Sequence, residues 1–472
     1  MINSQPKNLM RNYSTYFTLM LVFFSFAALA QKAKPNIILI ISDDQGYHDL
    51  GSYGNDEIIT PHLDQLATEG VILTNFYVTG SGCTPSRSGL LTGRYPQRNG
   101  TFELFRNNMV NYGHHYTEYE YSVSPERILG TDLREIFISE ALKEADYTNG
   151  YFGKWDLGQL RRYLPLQQGF DEFYGFANTG IDYFTHERYG SPSMLDGNTP
   201  TIKDKGAYTT DLFEREALKF IDQNADSPFF LYLAYNAPHN ASNLDPEVRG
   251  TVQATEKYLQ MYSKGDTPRA NRQRGYKAAV THMDQSIGNI LAMVKKKGLD
   301  DNTLVIFLSD NGGSGLADNY PLRGGKAQFF EGGIRVPCMV KWPGIIEPGQ
   351  TNHDFLSSLE IFPTIIAAAG LNLPENVVYD GFDMLPALQG KPYAKRTHMF
   401  WEFRGDVAAR MDHWKWVRSA RGNGLFDLSQ DIEEQRDLSL EYPEILEKIT
   451  GEFVNWQGAM ANAEPRGPFK DF

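Results

Sequence analysis

Acidic and amide side chains follow two apolar runs of the chain at the points where those runs end. Asp43 and Asp44 follow an early run, and Asp310 and Asn311 follow a late one. Because ligands gather at the carboxyl ends of parallel strands, these four side chains are expected to converge there. Their oxygens suit Ca²⁺ or Mg²⁺, and no histidine or thiol cluster indicates zinc. Either pair alone also fits a turn or cap, a common role of Asp and Asn.

A second reactive feature is the segment Cys83-Thr84-Pro85-Ser86-Arg87. The pattern predicts a helix with Thr84 as its N-cap and Pro85 in its first turn. Cys83 would then lie at a helix N-terminus, where backbone N–H groups favour an anion, and Arg87 would lie one turn later. The alternative is an ordinary buried cysteine at the start of a helix.

The continuation of this segment resembles the signature of the type I sulfatases of the alkaline phosphatase superfamily. Cys-x-Pro-Ser-Arg is followed by Ser-Gly-Leu-Leu-Thr-Gly-Arg-Tyr-Pro. Further segments match in the family's order over nearly the whole chain after residue 30: Ile41–Gly51, Gly153–Gly158, Asn236–His239, Ser309–Gly313, Leu322–Pro337 and Leu425–Leu438. Any one of them would be a weak match, but together they identify the family.

The resemblance implies a nucleophile and a metal site. In such enzymes a maturation enzyme converts the motif cysteine to formylglycine, so Cys83 would be the nucleophile after hydration. Its attack on sulfur releases the alcohol, and sulfate is then expelled. The resemblance further implies one calcium ion, held by Asp43, Asp44, Cys83, Asp310 and Asn311. A divalent cation and fixed cationic groups would hold the charge of the sulfate oxygens.

The resemblance also implies roles for four further side chains. Arg87 would orient the formylglycine, and Lys154 and Lys326 would bind the sulfate. His239 matches the histidine that faces the leaving oxygen, so it is the candidate general acid. For the two lysines and the histidine, the alternative is a surface or loop role.

Asp156 departs from the family pattern, in which histidine follows Gly-Lys-Trp. In the family, that histidine contacts the formylglycine and acts as a base. A carboxylate can also accept a proton, so Asp156 is a candidate base. An Asp beside calcium is expected to titrate low. The alternatives are a pairing of Asp156 with a nearby cation, and weak or altered activity.

Substrate contacts are predicted at His48 and Arg404, each with an exposed side chain as the alternative. His48 lies a short loop beyond the predicted metal ligands, and Arg404 belongs to the C-terminal region that reaches the pocket in this family. An aromatic-rich segment around His114-His115 fits either a sugar-binding wall or a surface loop.

The elements that must position these residues alternate between strands and helices. Apolar runs without two-residue alternation predict strands buried on both faces, at Asn36–Ser42, Val71–Val78, Pro228–Tyr235, Thr303–Ser309 and Val336–Trp342. Amphipathic patterns predict helices at Pro61–Glu69, Asp132–Glu144, Thr209–Gln223 and Arg272–Lys297. The fold class is therefore α/β, with a large mixed, mainly parallel sheet flanked by helices. The resemblance implies that this fold is similar to that of alkaline phosphatase. Short strands and a closing helix at Pro443–Trp456 predict a smaller C-terminal α+β subdomain.

The first 30 residues carry only Lys7 and Arg11 as charges and end in Ala28-Leu29-Ala30 after an apolar run. This pattern predicts a signal peptide cleaved after Ala30, with an uncleaved anchor as the alternative. The predicted regions are a signal peptide at 1–30, a catalytic domain at 31–395 and a C-terminal subdomain at 396–472. The mature protein is expected to be periplasmic or secreted, with no membrane contact.

Composition limits the function. The 472 residues carry 45 Lys and Arg against 58 Asp and Glu, a net charge of -13, which argues against nucleic-acid binding. Two cysteines exclude a disulfide scaffold. The predicted function is removal of sulfate from a sulfated oligo- or polysaccharide, first of all ulvan or carrageenan. The alternatives are a glycosaminoglycan or aryl sulfatase, a phosphonate or phosphodiester hydrolase, and a non-catalytic sulfated-glycan binder.

Overall fold

A computed structural model describes residues 1–2, 34–104 and 128–463. The predicted signal peptide and the aromatic-rich segment around His114 lie outside these described residues. Within the described ranges, no helix is long and apolar enough to cross a membrane.

Ten of the strands form one large sheet, in the order β13-β2-β12-β11-β1-β10-β4-β5-β8-β9. Their bounds are β1 Asn36–Ser42, β2 Val71–Leu73, β4 Thr148–Lys154, β5 Glu172–Phe176, β8 Met194–Asp196, β9 Thr199–Pro200, β10 Phe229–Ala234, β11 Thr303–Ser309, β12 Cys338–Lys341 and β13 Gln350–Asn352. Two small pairs join β3 (Phe76–Tyr77) to β14 (Leu356–Ser357) and β6 (Glu187–Arg188) to β7 (Ser191–Pro192).

The centre of the large sheet is parallel, as predicted. Strands β11, β1, β10, β4 and β5 run side by side in one direction, whereas β12 is antiparallel to β11. Strands β1 and β11 have the bounds expected from the sequence. The predicted strand Val71–Val78 is instead divided between β2 and β3, which belong to different sheets.

Helices cover both faces of the sheet. They are α1 Pro61–Glu69, α2 Cys83–Thr92, α3 Pro96–Asn99, α4 Ile138–Lys143, α5 Thr209–Gln223, α6 Glu256–Leu259, α7 Pro268–Lys296, α8 Glu331–Ile334, α9 Ile361–Ala368, α10 Leu385–Leu388 and α11 Pro443–Ala461. Alternate side chains of β1 enter opposite cores: Leu39 packs with residues of α2, α4 and α9, and Ile40 packs with residues of α1, α5 and α7. This two-faced burial explains the uninterrupted apolar sequence of β1.

The C-terminal region is a four-stranded antiparallel sheet with helix α11 beside it. Its strands are β15 His398–Phe403, β16 Asp406–Met411, β17 Trp414–Ser419 and β18 Gly422–Asp427. Its apolar side chains share a core with Tyr77 and Tyr95 of the α/β part. The described residues from Pro35 onward form one compact unit, so this C-terminal lobe is not a separate body.

Candidate functional site

The acids predicted at two strand ends lie side by side. Ser42 and Ser309 end β1 and β11 in register, so the residues after them meet. The Asp44 backbone N–H donates to Asp310 Oδ1 at 3.1 Å, and Asn311 Nδ2 donates to Asp44 Oδ1 at 2.8 Å. One oxygen each of Asp43 and Asp310 and the Cys83 thiol lie within 4.8 Å of one another. All of these groups are buried.

Helix α2 places Cys83 beside these acids. Its Sγ lies 3.6 Å from Asp43 Oδ1, and Lys326 Nζ lies 3.3 Å from the same sulfur. Burial raises the pKa of the Cys83 thiol well above its usual range, although Lys154 and Lys326 act against the shift. The unmodified thiol is therefore a poor nucleophile at neutral pH, because the thiolate is the reactive form.

The predicted N-cap at Thr84 is wrong. The helix begins at Cys83 with Gly82 as its cap residue, because Gly82 is the last residue in an extended conformation. The Thr84 hydroxyl instead donates to Asp156 Oδ2 at 3.1 Å. Thr84 thereby links the residue after Cys83 to the position at which this sequence departs from the family.

Three cationic side chains surround Cys83. Arg87 Nε donates to Asp310 Oδ2 at 2.9 Å, and Arg87 Nη1 donates to the Lys154 carbonyl at 3.0 Å. Lys154 Nζ lies 2.8 Å from Asp43 Oδ2, and Lys326 Nζ lies 2.7 Å from Asp44 Oδ2. The structure thus brings Arg87, Lys154 and Lys326 to the predicted centre.

Local backbone geometry makes this arrangement possible. Gly153, just before Lys154, has a φ of 117°, and a side chain there would collide with the Ala234 carbonyl of the neighbouring strand. Asp44 and Asp156 also have positive φ values, of 64° and 61°. Such conformations are uncommon outside glycine and concentrate at functional sites.

The charges in the centre stabilise one another. Burial alone would raise the pKa of Asp44, but Lys326, His239 and Lys154 hold it well below the usual value. Burial likewise disfavours the charged form of Lys154, but the Asp43 carboxylate holds the lysine pKa above its usual value. The centre is therefore a network of ionised groups that is largely buried, with Lys326 partly exposed at its edge.

His239 lies at the edge of this network. Its Nδ1 is 2.8 Å from the Asn240 carbonyl oxygen, which only accepts hydrogen bonds, so the proton is on Nδ1. Its Nε2 lies 3.7 Å from Asp44 Oδ2 and faces the centre. Burial, assisted by Lys326, lowers the pKa of His239 to about 3, so the ring is neutral in this structure.

Asp156 is buried beside the nucleophile position. Its carboxylate accepts the Thr84 hydrogen bond and lies 3.9 Å from Lys154 Nζ. Burial raises the pKa of Asp156 to about 6, against the opposing effect of Lys154. Desolvation therefore outweighs the neighbouring cation. The low pKa expected of Asp156 beside a bound calcium ion stays a prediction.

The two predicted substrate residues lie outside the charged centre. His48 Nδ1 contacts Asp318 Oδ2 at 2.8 Å, and its ring packs edge-on against Tyr320. Arg404 forms two hydrogen bonds of 2.8 Å with the Glu103 carboxylate, and its side chain is 49% exposed. Their contact with substrate stays a prediction.

Several polar residues of the centre were missed by the sequence analysis. Ser314 Oγ donates to Asp44 Oδ2 at 3.0 Å. The buried side-chain amides of Gln45 and Asn236 have no hydrogen-bond partner among the described residues. Gln45 and Asn236 lie within two of the segments that match the family, Ile41–Gly51 and Asn236–His239, so the sequence could have indicated them. No sequence feature indicated Ser314.

The donor set fits a calcium ion. Asp43, Asp44 and Asp310 supply carboxylate oxygens, and the buried Asn311 Oδ1 has no hydrogen-bond partner within the described chain. Oxygen donors of this kind are the ligands that calcium prefers. A buried amide oxygen without a partner is unusual, and a cation would satisfy it.

Comparisons with known proteins agree with this geometry. A family model described as Sulfatase matches residues 35–371, and one described as N-sulphoglucosamine sulphohydrolase, C-terminal, matches residues 325–454. N-acetylgalactosamine-6-sulfatase of Canis lupus familiaris is 34% identical over 82% of this chain and 73% of its own length. Arylsulfatase A of Homo sapiens is 33% identical over 93% and 86%, respectively. The solved structure of Ps i-CgsB in complex with k-i-k-neocarrahexaose has a TM-score of 0.77 and 33% identity, over 90% of this chain and 92% of that one.

Proposed function

The chain belongs to the sulfatase family and is a sulfuric-ester hydrolase, and from this premise we propose that it desulfates oligosaccharides of an algal polysaccharide of the carrageenan or ulvan type. The observation that carries the chemistry is the position of residue 83. It lies among Arg87, Lys154 and Lys326 at the end of the parallel sheet, where a sulfate group would meet three cations.

Two groups not present in the unmodified chain complete the proposed site. Formylglycine formed from Cys83 would supply a hydrated aldehyde as the nucleophile. One calcium ion, held by Asp43, Asp44, Asp310, Asn311 and residue 83, would neutralise sulfate charge and polarise the sulfur. A separate maturation enzyme is the partner that this modification requires.

The side chains of this protein position residue 83, bind the sulfate group and protonate the leaving alcohol. Arg87 fixes residue 83 in place, since it already bonds to Asp310 and to the Lys154 backbone. Lys154 and Lys326 bind the non-bridging oxygens of the sulfate group. His239 faces the leaving oxygen through Nε2. A bound sulfate favours the imidazolium form, which carries on Nε2 the proton needed by the leaving alcohol.

Asp156 serves as the proton acceptor at the nucleophile. It lies against Thr84 and replaces the histidine of the family pattern. Asp156→Asn preserves the shape of the side chain but removes the basic oxygen, so we expect kcat to fall about 10²-fold with little change in KM. Asp156→His restores the histidine of the family pattern. A sharp gain in its activity over wild type would show that the carboxylate lowers activity and does not serve as the base.

The substrate proposal draws on relatives. Ps i-CgsB, solved with k-i-k-neocarrahexaose, shares 33% identity and the fold over most of both chains. A glycosaminoglycan is the second candidate, because N-acetylgalactosamine-6-sulfatases are among the relatives at a similar identity. Export to the periplasm or medium, after cleavage at Ala30, completes the proposal and would bring the enzyme to such polymers.

The test is an activity panel with a matched pair of cysteine variants. Sulfate release is measured from carrageenan, ulvan and glycosaminoglycan oligosaccharides, an aryl sulfate, and phosphate and phosphonate esters. Cys83→Ala is expected to abolish turnover. Cys338→Ala, at the other buried free cysteine, should retain it. Peptide mass spectrometry should find formylglycine at position 83 in active protein.

Each part of the proposal has an outcome that overturns it. An unmodified thiol at position 83 in active protein would exclude the formylglycine mechanism. Preference for glycosaminoglycan fragments would replace the algal assignment with the second candidate. If phosphonate esters are turned over faster than sulfate esters, the protein is a phosphonate hydrolase of the same superfamily. Binding of sulfated glycans without any turnover would support a non-catalytic role.

A further inference from the structure

A cavity of about 530 Å³ lies between the α/β part and the C-terminal lobe. Basic side chains from both parts line it, namely Arg335 and His353 from the α/β part and Arg410 and His413 from the C-terminal lobe. None of the described residues that line it is an Asp or a Glu. Although the net charge of the chain is -13, the positive charge of this lining makes the cavity suited to an anion.

Arg410 is the central residue of this cavity. It is 6% exposed, and its guanidinium lies 4.0 Å above the Phe355 ring. Nε donates to the Asp412 carbonyl, and Nη1 donates to Asn75 Oδ1, both at 2.7 Å. Nη1 also contacts the Tyr77 hydroxyl, whereas Nη2 donates to no described residue. One edge of the guanidinium therefore has no acceptor among the described residues.

Arg410 also has no carboxylate partner among the described residues. The other buried arginines among the described residues have one: Arg87 pairs with Asp310 at 2.8 Å, and Arg94 pairs with Glu135 at 3.0 Å. Placing a charge away from water costs several kcal/mol unless an opposite charge is close. Arg410 is thus a buried cation in a cavity, with an open hydrogen-bonding edge.

The two acids behind the cavity, Glu331 and Glu434, form their direct ion pairs with cations other than Arg410. Glu331 pairs with Lys415 at 2.8 Å and with Arg335 at 3.2 Å, and Glu434 pairs with Lys415 at 2.9 Å. Burial would raise the pKa of Glu331, but Lys415, Arg335 and Arg410 together hold it low, so Arg410 interacts with this acid through its charge as well as through the Tyr77 hydroxyl. Two acids therefore face three cations, in a group that we call the interface cluster: Glu331, Arg335, Arg410, Lys415 and Glu434.

We propose that this cavity is a second anion site, which binds a sulfate group of the glycan substrate away from the group being hydrolysed. The proposal rests on the proposed function for the identity of the anion. Arg410 Nη2 and the two imidazoles would provide the donors. Arg335 and Arg410 would provide the positive charge, in the fork geometry that suits a tetrahedral oxyanion.

The location fits a substrate with several sulfate groups. Thr74 and Arg335 adjoin the ends of β2 and β12 at the sheet edge that also carries the catalytic acids. Strand β2 is three positions from β1 in the sheet, which corresponds to about 15 Å at the usual strand spacing. An oligosaccharide can extend over such a distance, whereas a small aryl sulfate cannot.

The test fills the cavity with a carboxylate. Ser429 is exposed and lines the cavity, so Ser429→Glu would provide Arg410 with an internal counter-ion. Ser429→Gln is the matched neutral control. Titration calorimetry with sodium sulfate is expected to find two sites in wild type and in Ser429→Gln, but one in Ser429→Glu. Arg410→Gln removes the cation of the same site and should also leave a single sulfate site.

Kinetics then identify the source of the anion. For a carrageenan hexasaccharide, Ser429→Glu is expected to raise KM about tenfold, the equivalent of one charge-assisted contact. For an aryl sulfate, KM should change less than twofold. An unchanged hexasaccharide KM despite the loss of a sulfate site would overturn the glycan assignment in favour of free sulfate. Two remaining sulfate sites in Ser429→Glu and Arg410→Gln would overturn the anion site itself, whether or not the chain desulfates carrageenan.

Discussion

Two buried charge clusters differ in the sign of their surplus charge. The active-centre cluster comprises three cations and four acids: Arg87, Lys154 and Lys326 with Asp43, Asp44, Asp156 and Asp310. The interface cluster comprises three cations and two acids. When every group is ionised, an acid is in excess at the first cluster and a cation at the second.

This difference in surplus charge supports the ligand proposed for each cluster. Surplus acid at the active centre favours an additional cation, which fits calcium and the open Asn311 oxygen. The excess of positive charge at the interface cluster favours an additional anion, which could accept a hydrogen bond from Arg410 Nη2. Both clusters combine Arg and Lys with carboxylates, so the balance of charge is what distinguishes the proposed metal site from the proposed anion site.

The largest expected effect is that of removing one acid from the active centre. Asp310→Asn should lower kcat/KM at least 10³-fold, since metal stabilisation of the transition state is worth several kcal/mol. Calcium at 100 times its Kd should stabilise wild type by about 2.7 kcal/mol in thermal unfolding and should not stabilise this variant. Asp301→Asn, at an exposed acid, is the control. Equal calcium stabilisation of both variants would contradict the metal site.

Removing the central cation of the interface cluster should destabilise the fold. Lys415 is fully buried between Glu331 and Glu434. Lys415→Met therefore removes an ion pair from each of these two buried acids. We expect a loss of about 3–5 kcal/mol in urea denaturation. Lys395→Met breaks a largely exposed pair with Asp354 and should cost less than about 1 kcal/mol. Similar losses of unfolding free energy in the two variants would show that the buried ion pairs of the cluster contribute no more to stability than an exposed pair.

Glu434 makes the stability of the interface dependent on pH. Burial raises its pKa from 4.5 to about 7, with Lys415 opposing the shift. Between these values the folded state binds the proton that the unfolded state has released, so stability falls as pH rises from about 4.5 to about 7. Glu434→Gln should flatten that part of the profile, as measured by urea denaturation across pH. Glu433→Gln is the control, and an unchanged slope in Glu434→Gln would contradict the assignment.

The smallest effect is expected at the exposed pair of Arg404 and Glu103. Because the Arg404 side chain is 49% exposed, Arg404→Gln should change stability by less than about 1 kcal/mol. If Arg404 contacts substrate as predicted, KM for a sulfated oligosaccharide should rise two- to threefold, an order-of-magnitude value for a partly exposed contact. Arg421→Gln is an exposed control. An unchanged KM would remove Arg404 from the substrate site.

Elements with a strong local signal were predictable from sequence. Strands β1 and β11 are continuous apolar runs, because both of their faces are buried, and their bounds agree with the prediction. Strand β4 was missed, because its sequence, Thr-Asn-Gly-Tyr-Phe-Gly-Lys, lacks such a run. Its Gly153 is required by the close approach of the Ala234 carbonyl, a tertiary contact that composition does not reveal.

The same distinction applies to the site. Asp43, Asp310, Cys83 and Lys326 belong to local motifs, so their convergence was predictable. The pairing of Glu331 with Lys415 and of Lys415 with Glu434 joins residues far apart in the chain, and no local spacing specifies it. The raised pKa of Asp156 also depends on burial, which the sequence around it does not encode.

The segment between Lys326 and Glu331 joins the two clusters within a few residues. Lys326 contacts Cys83 and Asp44 at one end, and the Glu331 backbone N–H donates to Glu434 at the other. A truncation before β15 would therefore remove the anchor of the segment that carries Lys326. The predicted boundary at residue 396 separates two kinds of architecture, but both belong to one compact unit. Domain swaps between relatives should accordingly exchange this segment together with the C-terminal lobe.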